Sequence, residues 1–397
     1  MLAERLEFAP ERDAEIFASV SPRPAVFLLR GPEPRAEPYV SKTANLRRRL
    51  LRLLGHTEER TRRLSLRERV SSIEYTLTGS DFESGFLLYK LLRATFPKTY
   101  SARLRLRPAP LVKLHLENEY ARASITTRLG RLGGSSLYYG PFASRAAAEK
   151  FANDSLDFFK MRRCVDDLHP DPAFPGCIYS EMKMCLAPCF KGCTDEEYAA
   201  EVARVQDFFD SRGQSLTREL AVQREQASVS LEFENAAAAH TRLEKLAPVL
   251  SQLPEIVHRL DRLSGLMVQG ATEENAVMLF RVQAGAISGP LTFTVQQAAE
   301  QAAKSQSIES RVEALLAALP ECSQISTLER MEHLAILKRW YYRSSRTGEI
   351  FFADYNGVLP MRRVVRGIGR VFHGEHLETG TPAGGAVSGI FQGEHSS

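Results

Sequence analysis

Apolar residues recur at two spacings along the chain, and the changes of spacing outline its elements. Ala25 to Arg30 (AVFLLR) is a short apolar run followed by the turn residues Gly31, Pro32 and Pro34, and residues 38–41 (PYVS) are a second short run. Two such runs around a turn predict a β-hairpin. Residues 43–54 (TANLRRRLLRLL) hold apolar side chains at Leu46, Leu50, Leu53 and Leu54 with arginines between, the pattern of a helix with one basic face. Residues 73–78 alternate as a third strand. Residues 81–95 predict a further helix with Phe82, Phe86, Leu87 and Leu91 on one side, stopped by Pro97. Residues 20–105 thus predict a small α+β domain.

Beyond it, residues 106–160 predict one or two strands, a turn at Tyr139-Gly140-Pro141 and a helix over 143–159. Residues 161–193, rich in Cys, Pro, Met and Asp, predict irregular structure. Residues 195–250 predict two helices packed on each other or on a partner. Residues 266–295 predict strands with turns at Gly270 and Gly285, and helices are expected over 295–319 and 328–342. The Gly-rich end from Glu378 reads as disordered. The expected organisation is multidomain α+β: residues 1–105, 106–194, a helical hairpin at 195–250, an α/β domain of unknown type at 251–376, and a tail at 377–397.

Composition changes this picture little. Hydrophobic residues at 44% and charged residues at 25% are ordinary globular values, so the chain can bury real cores. No apolar run approaches the ~18 residues of a membrane span, and the charged N-terminus lacks the apolar core of a signal sequence. A cytoplasmic protein with no membrane partner is expected. The net charge of +4 matters less than its distribution. Between Arg30 and Arg69, 12 Lys/Arg face 5 Asp/Glu; from Lys90 to Lys113 there are 7 bases and no acid. From Asp195 to Leu250 the balance reverses, with 11 acids against 6 bases. A polyanion suits the first part and another protein the second.

Three sets of residues suggest chemistry. The first is Ala25-Val26-Phe27, Tyr39-Val40-Ser41-Lys42, Asn45-Leu46-Arg47-Arg48-Arg49 and Glu83. It resembles the GIY-YIG nuclease domain of the UvrC family of excinucleases, a small antiparallel sheet with helices. Phosphodiester hydrolysis needs a divalent cation on a carboxylate, a group to take a proton from water, and a cation for the developing charge. The resemblance implies Glu83 as ligand of Mg²⁺ or Mn²⁺, Arg49 on the transition state, and Tyr39 and Lys42 in support. The chain departs from the pattern at Phe27, where the family has its first Tyr, and at Ser41, where it has Gly. It also lacks an Asn around Pro97-Lys98-Thr99-Tyr100-Ser101. Without the first hydroxyl, cutting is weak or absent unless Tyr39 or Tyr100 takes over the proton step.

The second set is Cys164, Cys177, Cys185 and Cys189, four thiols within 26 residues. Such spacing can enclose a tetrahedral metal or a cluster, and by itself fits zinc nearly as well as iron–sulfur. The flanks YYGPF (138–142) and CLAPC (185–189) extend the UvrC resemblance, which implies an iron–sulfur cluster on these four. Cys193 is a spare or substitute ligand, and Cys322 an ordinary core cysteine. The third set is Leu231-Glu232-Phe233-Glu234-Asn235-Ala236-Ala237, which resembles the UVR motif, a helical hairpin by which UvrC-type proteins bind UvrB. An exposed Phe233 beside Glu234 suits an apolar socket. The family's Arg-Asp pair after the alanines is His240-Thr241 here. A further patch, Lys338-Arg339-Trp340-Tyr341-Tyr342-Arg343, mixes bases with aromatics; its aromatics are expected in a core.

The resemblance covers roughly residues 20–250. Signatures of the family's second nuclease and its helix-hairpin-helix module are not found after Pro254, so the plan is that of a shortened homologue. It implies a nucleotide excision repair endonuclease subunit acting on damaged double-stranded DNA with UvrB. The alternative is a catalytically degenerate adaptor that binds DNA and UvrB, and a third reading is a cluster protein with a redox or sensing role.

Overall fold

The computed structural model describes residues 2–33, 35–56, 64–165, 168–295, 307–318 and 325–375. Cys322 and the residues from 376 onward lie outside these. The fold is α+β, with small antiparallel sheets and helices in two compact units. One unit joins residues up to 108 with residues from 264 onward; the other holds residues 109–263. Among the described residues no helix is long and apolar enough to cross a membrane.

The first unit begins with strand β1 (Glu4–Glu7), helix α1 (Asp13–Ser19), strands β2 (Ala25–Arg30) and β3 (Tyr39–Thr43), helix α2 (Leu46–Leu54), strand β4 (Ser72–Leu77) and helices α3 (Asp81–Thr95) and α4 (Tyr100–Leu104). The sheet order is β1-β4-β2-β3, all antiparallel. The β2–β3 hairpin pairs Phe27 with Ser41 and Leu29 with Tyr39. β2 reads AVFLLR because it lies inside the sheet and both its faces are covered: Ala25 through Leu29 are all buried. α2 starts where the Asn45 side chain accepts the Arg48 N–H, and it buries Leu46, Leu50, Leu53 and Leu54 in the core with Phe27. β1 and α1 were not expected from the sequence; β1 is a mostly exposed edge strand with no buried residue to mark it.

The second unit contains β5 (Leu111–His115), β6 (Ala123–Thr126), β7 (Ser136–Gly140), α5 (Arg145–Leu156), the short α6 (Ile178–Glu181), α7 (Asp195–Asp210), α8 (Gln214–Val229), α9 (Phe233–Ser251) and β8 (His258–Arg259). Its sheet order is β6-β5-β7-β8. The two helices expected over 195–250 are three. The chain turns at Ser211-Arg212-Gly213, with Arg212 and Gly213 both at positive φ. Gly213 also packs where a Cβ would lie 2.2 Å from Leu250, so a larger residue has no room.

The chain returns to the first unit with β9 (Ser264–Gly270), β10 (Ala276–Gln283), β11 (Ala286–Thr294), α10 (Ile308–Ala317), α11 (Thr327–Tyr341), β12 (Glu349–Phe352) and α12 (Met361–Phe372). This sheet runs β11-β10-β9-β12 and packs with α10 and α12 over Leu266, Val268, Leu279, Phe351, Val364 and Ile368. Of the helix expected over 295–319, the described part is α10.

Helix α3 joins the early and late parts of this unit. Phe82 meets Phe280 edge-on at 5.0 Å and Trp340 at 5.6 Å, while Phe86 and Tyr89 meet His333 at 5.3 and 5.4 Å. The buried carboxylate of Glu332 accepts hydrogen bonds from the hydroxyls of Tyr89 (2.8 Å) and Tyr100 (2.6 Å). Arg93 pairs with Glu329 at 2.5 Å. At the start of α3, Gly79 lies so close to the β9–β10 turn that a Cβ there would come within 2.3 Å of the Gly270 carbonyl. Replacing Glu332 by Ala leaves the O–H donors of two buried phenols without an acceptor, and the expected cost is about 3 kcal/mol. Urea unfolding followed by Trp340, the only tryptophan, measures it, and an unchanged midpoint would refute the role given to this carboxylate.

Candidate nuclease-like and cysteine sites

The hairpin and the N-terminus of α3 bring the first set of residues into one region, although they do not converge as one site. Phe27 is fully buried, in the core with Leu29 and Leu50, and its ring stacks at a tilt 6.1 Å from that of Tyr39. Arg49 reaches from α2 and donates from Nη2 to the Tyr39 hydroxyl at 2.7 Å. Its Nε is buried without a hydrogen-bond partner. The Tyr39–Arg49 pair therefore retains an unused donor, an arrangement that suits an incoming acceptor.

Lys42 and Glu83 do not join that pair. Lys42 donates from Nζ to Asp81 Oδ1 at 2.6 Å, and the other oxygen of Asp81 accepts from Arg343 at 2.5 Å. Burial raises the Asp81 pKa, but Lys42 and then Arg343 outweigh it and the net shift is downward, so Asp81 is a carboxylate. Glu83 is 6% exposed. Its Oε2 accepts the Gly79 N–H at 2.7 Å, and its own N–H is capped by Ser80. Burial pushes its pKa up against the pull of the Gly79 and Ser80 backbone N–H groups. By accepting the Gly79 N–H, Glu83 closes the turn before its own helix. Tyr100 is equally committed, to Glu332. Asp81 was missed by the sequence reading. Its signal was local: an acid directly after the Ser80 cap, at the first position of α3.

Of the aromatics in the Lys338–Arg343 patch expected in a core, Trp340 is there, whereas Tyr341 and Tyr342 are only half-buried. Trp340 is buried and donates from Nε1 to the Thr347 carbonyl at 3.1 Å. Arg339 donates to the carbonyls of Leu104 and Arg105 where α4 ends.

In the second unit the cysteines lie on a loop wound tightly by left-handed turns at Lys183, Ala187 and Lys191. Cys177 precedes α6, and Cys185 and Cys189 flank Leu186-Ala187-Pro188. All four, and Cys193, are half-buried, and none is in a disulfide. The Cys185 thiol is pushed up to about 11 by burial, and after the Ala187 N–H, which pulls it down, by Cys164, Cys189 and Cys177. The four thiols therefore sense one another. Their donors are already placed: Ala187 N–H points at Cys185 Sγ (3.3 Å) and the Arg162 guanidinium at Cys164 Sγ (3.4 Å). Both would favour thiolates and so suit a cation or cluster bound to sulfur. In chemistry and neighbourhood the donor set fits such a group, although among the described residues no three His, Cys, Asp or Glu side chains stand in closed ligand geometry.

Helices α8 and α9 form an antiparallel hairpin joined through Leu231, at positive φ, whose buried seam includes Leu220, Ala227, Ala239 and Leu246. At its tip Val229, Leu231 and Phe233 are 77%, 71% and 70% exposed, a run of bare apolar surface beside the exposed Glu234. His240 pairs along the helix with Glu244.

Comparison with known proteins gives these features a common setting. Residues 110–208, from the second unit, match the family model described as UvrC/Cho excinuclease, middle domain. The chain is 29% identical over 211 residues to the UvrABC system protein C of Rickettsia bellii, covering 53% of this chain and 33% of that protein. For the protein of the same name in Methanothermobacter thermautotrophicus, identity is 28% over 263 residues, 66% of this chain and 43% of the relative. For that of Pseudomonas aeruginosa it is 29% over 293 residues, 73% and 47%. The chain thus spans between about a third and about half of the length of these relatives. No solved structure matches.

Proposed function

We propose, starting from a chain that belongs to the UvrC family, that it serves nucleotide excision repair as an adaptor whose nuclease fold binds DNA without cutting it. One observation carries this reading: the carboxylate of Glu83 is buried and bonded to the Gly79 N–H. The residue that would hold Mg²⁺ or Mn²⁺ is thereby withdrawn into the fold. Phe27 supports the same reading, because the first hydroxyl of the motif is replaced by a buried ring.

The remaining parts have work in an adaptor. Arg48 and Arg52 project from the basic face of α2 toward solvent and suit the phosphates of damaged duplex DNA. Cys164, Cys177, Cys185 and Cys189 would hold an iron–sulfur cluster, with zinc as the alternative. Bound there, the group would supply sulfur-to-metal cross-links that fix the loop. The tip of the α8–α9 hairpin, with Phe233 as knob and Glu234 beside it, would dock on UvrB.

A second reading, a working endonuclease, is favoured by the Tyr39–Arg49 pair and the unpartnered buried Nε of Arg49. In that case Tyr39 would take the proton and Arg49 the developing charge, with Lys42 in support.

Anaerobically purified protein with UvrB, Mn²⁺ and a lesion-bearing duplex discriminates the two. The adaptor is expected to bind both partners and to leave the duplex intact, as does Glu83→Ala. Nicking by the parent that Glu83→Ala abolishes would overturn the adaptor reading. Phe233→Ala is expected to weaken UvrB binding at least about tenfold, a typical loss for a central aromatic anchor, with unchanged circular dichroism. Equal affinity would remove the hairpin from the interface. Anaerobic reconstitution with iron and sulfide is expected to give visible absorbance that Cys185→Ser and Cys189→Ser lose. Stoichiometric zinc with no iron would favour the alternative metal.

A further inference from the structure

Beyond the supporting role that the resemblance implies for Lys42, the Lys42–Asp81–Arg343 arrangement has been given no function. Its residues come from three places in the first unit: strand β3, the first turn of α3 and the residues just after α11. Each oxygen of the Asp81 carboxylate accepts from a different cation, Oδ1 from Lys42 and Oδ2 from Arg343. Beside them lies a cavity of about 100 Å³ that Lys42, Asp81 and Arg343 border and whose remaining lining is largely apolar, with Leu88, Leu104 and Ile336. Gly85 keeps the floor bare: even a Cβ there would stand 3.9 Å from Lys42 Nζ. Two cations thus hold a single carboxylate.

We propose that Lys42 and Arg343 form a binding site for a phosphate group, and that Asp81 occupies it as an internal stand-in until a phosphate displaces it. Two oxygens of one tetrahedral phosphate can take the bonds that the two oxygens of Asp81 now take, and a guanidinium can grip phosphate through two parallel N–H donors. Displacement is easy because the Lys42, Asp81 and Arg343 side chains are 35%, 57% and 53% exposed. Ion pairs exposed to that degree hold weakly against water and salt. Asp81 also sits at the first position of α3, where its side chain can swing out without disturbing the helix. The phosphate could belong to a nucleic-acid backbone or to a free phosphate compound. The backbone is the expected source because the basic face of α2 belongs to the same unit. For that source alone the inference rests on the DNA-binding reading; the site itself does not. Arg343 thereby gives the late part of the unit a role on the polyanion side of the protein.

The test compares the full chain with Asp81→Asn, Arg343→Ala and the double variant, by anisotropy of a labelled duplex and by the thermal midpoint with added inorganic phosphate. Asp81→Asn is expected to tighten duplex binding about tenfold, since it frees two cations at once. In the Arg343→Ala background the same change is expected to have less than about a twofold effect, because coupled residues are not additive. Equal tightening in both backgrounds would mean a general charge effect and would overturn the site, as would no tightening together with no phosphate response. A phosphate-induced midpoint rise in Asp81→Asn that Arg343→Ala removes supports the site even if no variant binds duplex. That combination would assign a free phosphate compound as ligand and sink the DNA-binding reading separately.

Discussion

A single buried carboxylate ties the first unit together. Glu332 is 7% exposed and lies 243 residues along the chain from Tyr89, whose hydroxyl it accepts. A buried carboxylate is tolerated only where donors compensate it, and Tyr89, Tyr100 and the neighbouring Arg93–Glu329 pair provide that setting. Burial and then Glu332 raise the Tyr89 pKa, so its hydroxyl stays a donor. Around this node Phe82, Phe86, Phe280, His333 and Trp340 form an aromatic cluster on α3. The helix that would present a metal ligand in a nuclease is thus covered by the late sheet and by α11. The remaining features of the region follow from that cover: the close approach of Gly79 to Gly270, the recruitment of Arg343 to Asp81, and the commitment of Tyr100 to Glu332.

This packing explains which parts of the fold could be read in the sequence. The hairpin, α2 and α3 were legible because each buries a face whose period appears locally: AVFLLR in β2, the leucines of α2, the aromatics of α3. β1 was not, since its residues ERLE carry no buried side chain. The break between α7 and α8 had a local mark, the glycine of Ser211-Arg212-Gly213, which ends a helix by taking the left-handed conformation and was passed over between two strongly helical stretches. The union of residues 264–375 with the N-terminal residues was beyond local pattern altogether. It rests on pairs such as Tyr89–Glu332 and Phe82–Phe280, which no spacing rule connects.

The candidate site was legible by residue type and less so by role. Tyr39 and Arg49 do meet, as the motif suggested. The four cysteines sense one another through the shifted Cys185 thiol. Glu83 was chosen because an acid opens α3, yet two acids open it, and they differ in what surrounds them. Glu83 faces a turn whose free N–H needs an acceptor; Asp81 faces two cations. Sequence spacing cannot distinguish these environments, because the Gly79 turn is fixed by its contact with the β9–β10 turn far along the chain.

Retention of Tyr39, Lys42 and Arg49 in a fold with a withdrawn Glu83 looks at first like a sign of catalysis. Each has a duty inside the fold that requires none. The Tyr39 ring covers Phe27, and its hydroxyl anchors Arg49. Lys42 holds Asp81, and with it Arg343, across two segments of the unit. Only the buried, unpaired Nε of Arg49 has no such duty. An unsatisfied buried donor costs stability, so this one atom is where the ancestry of the motif and the needs of the present fold part company.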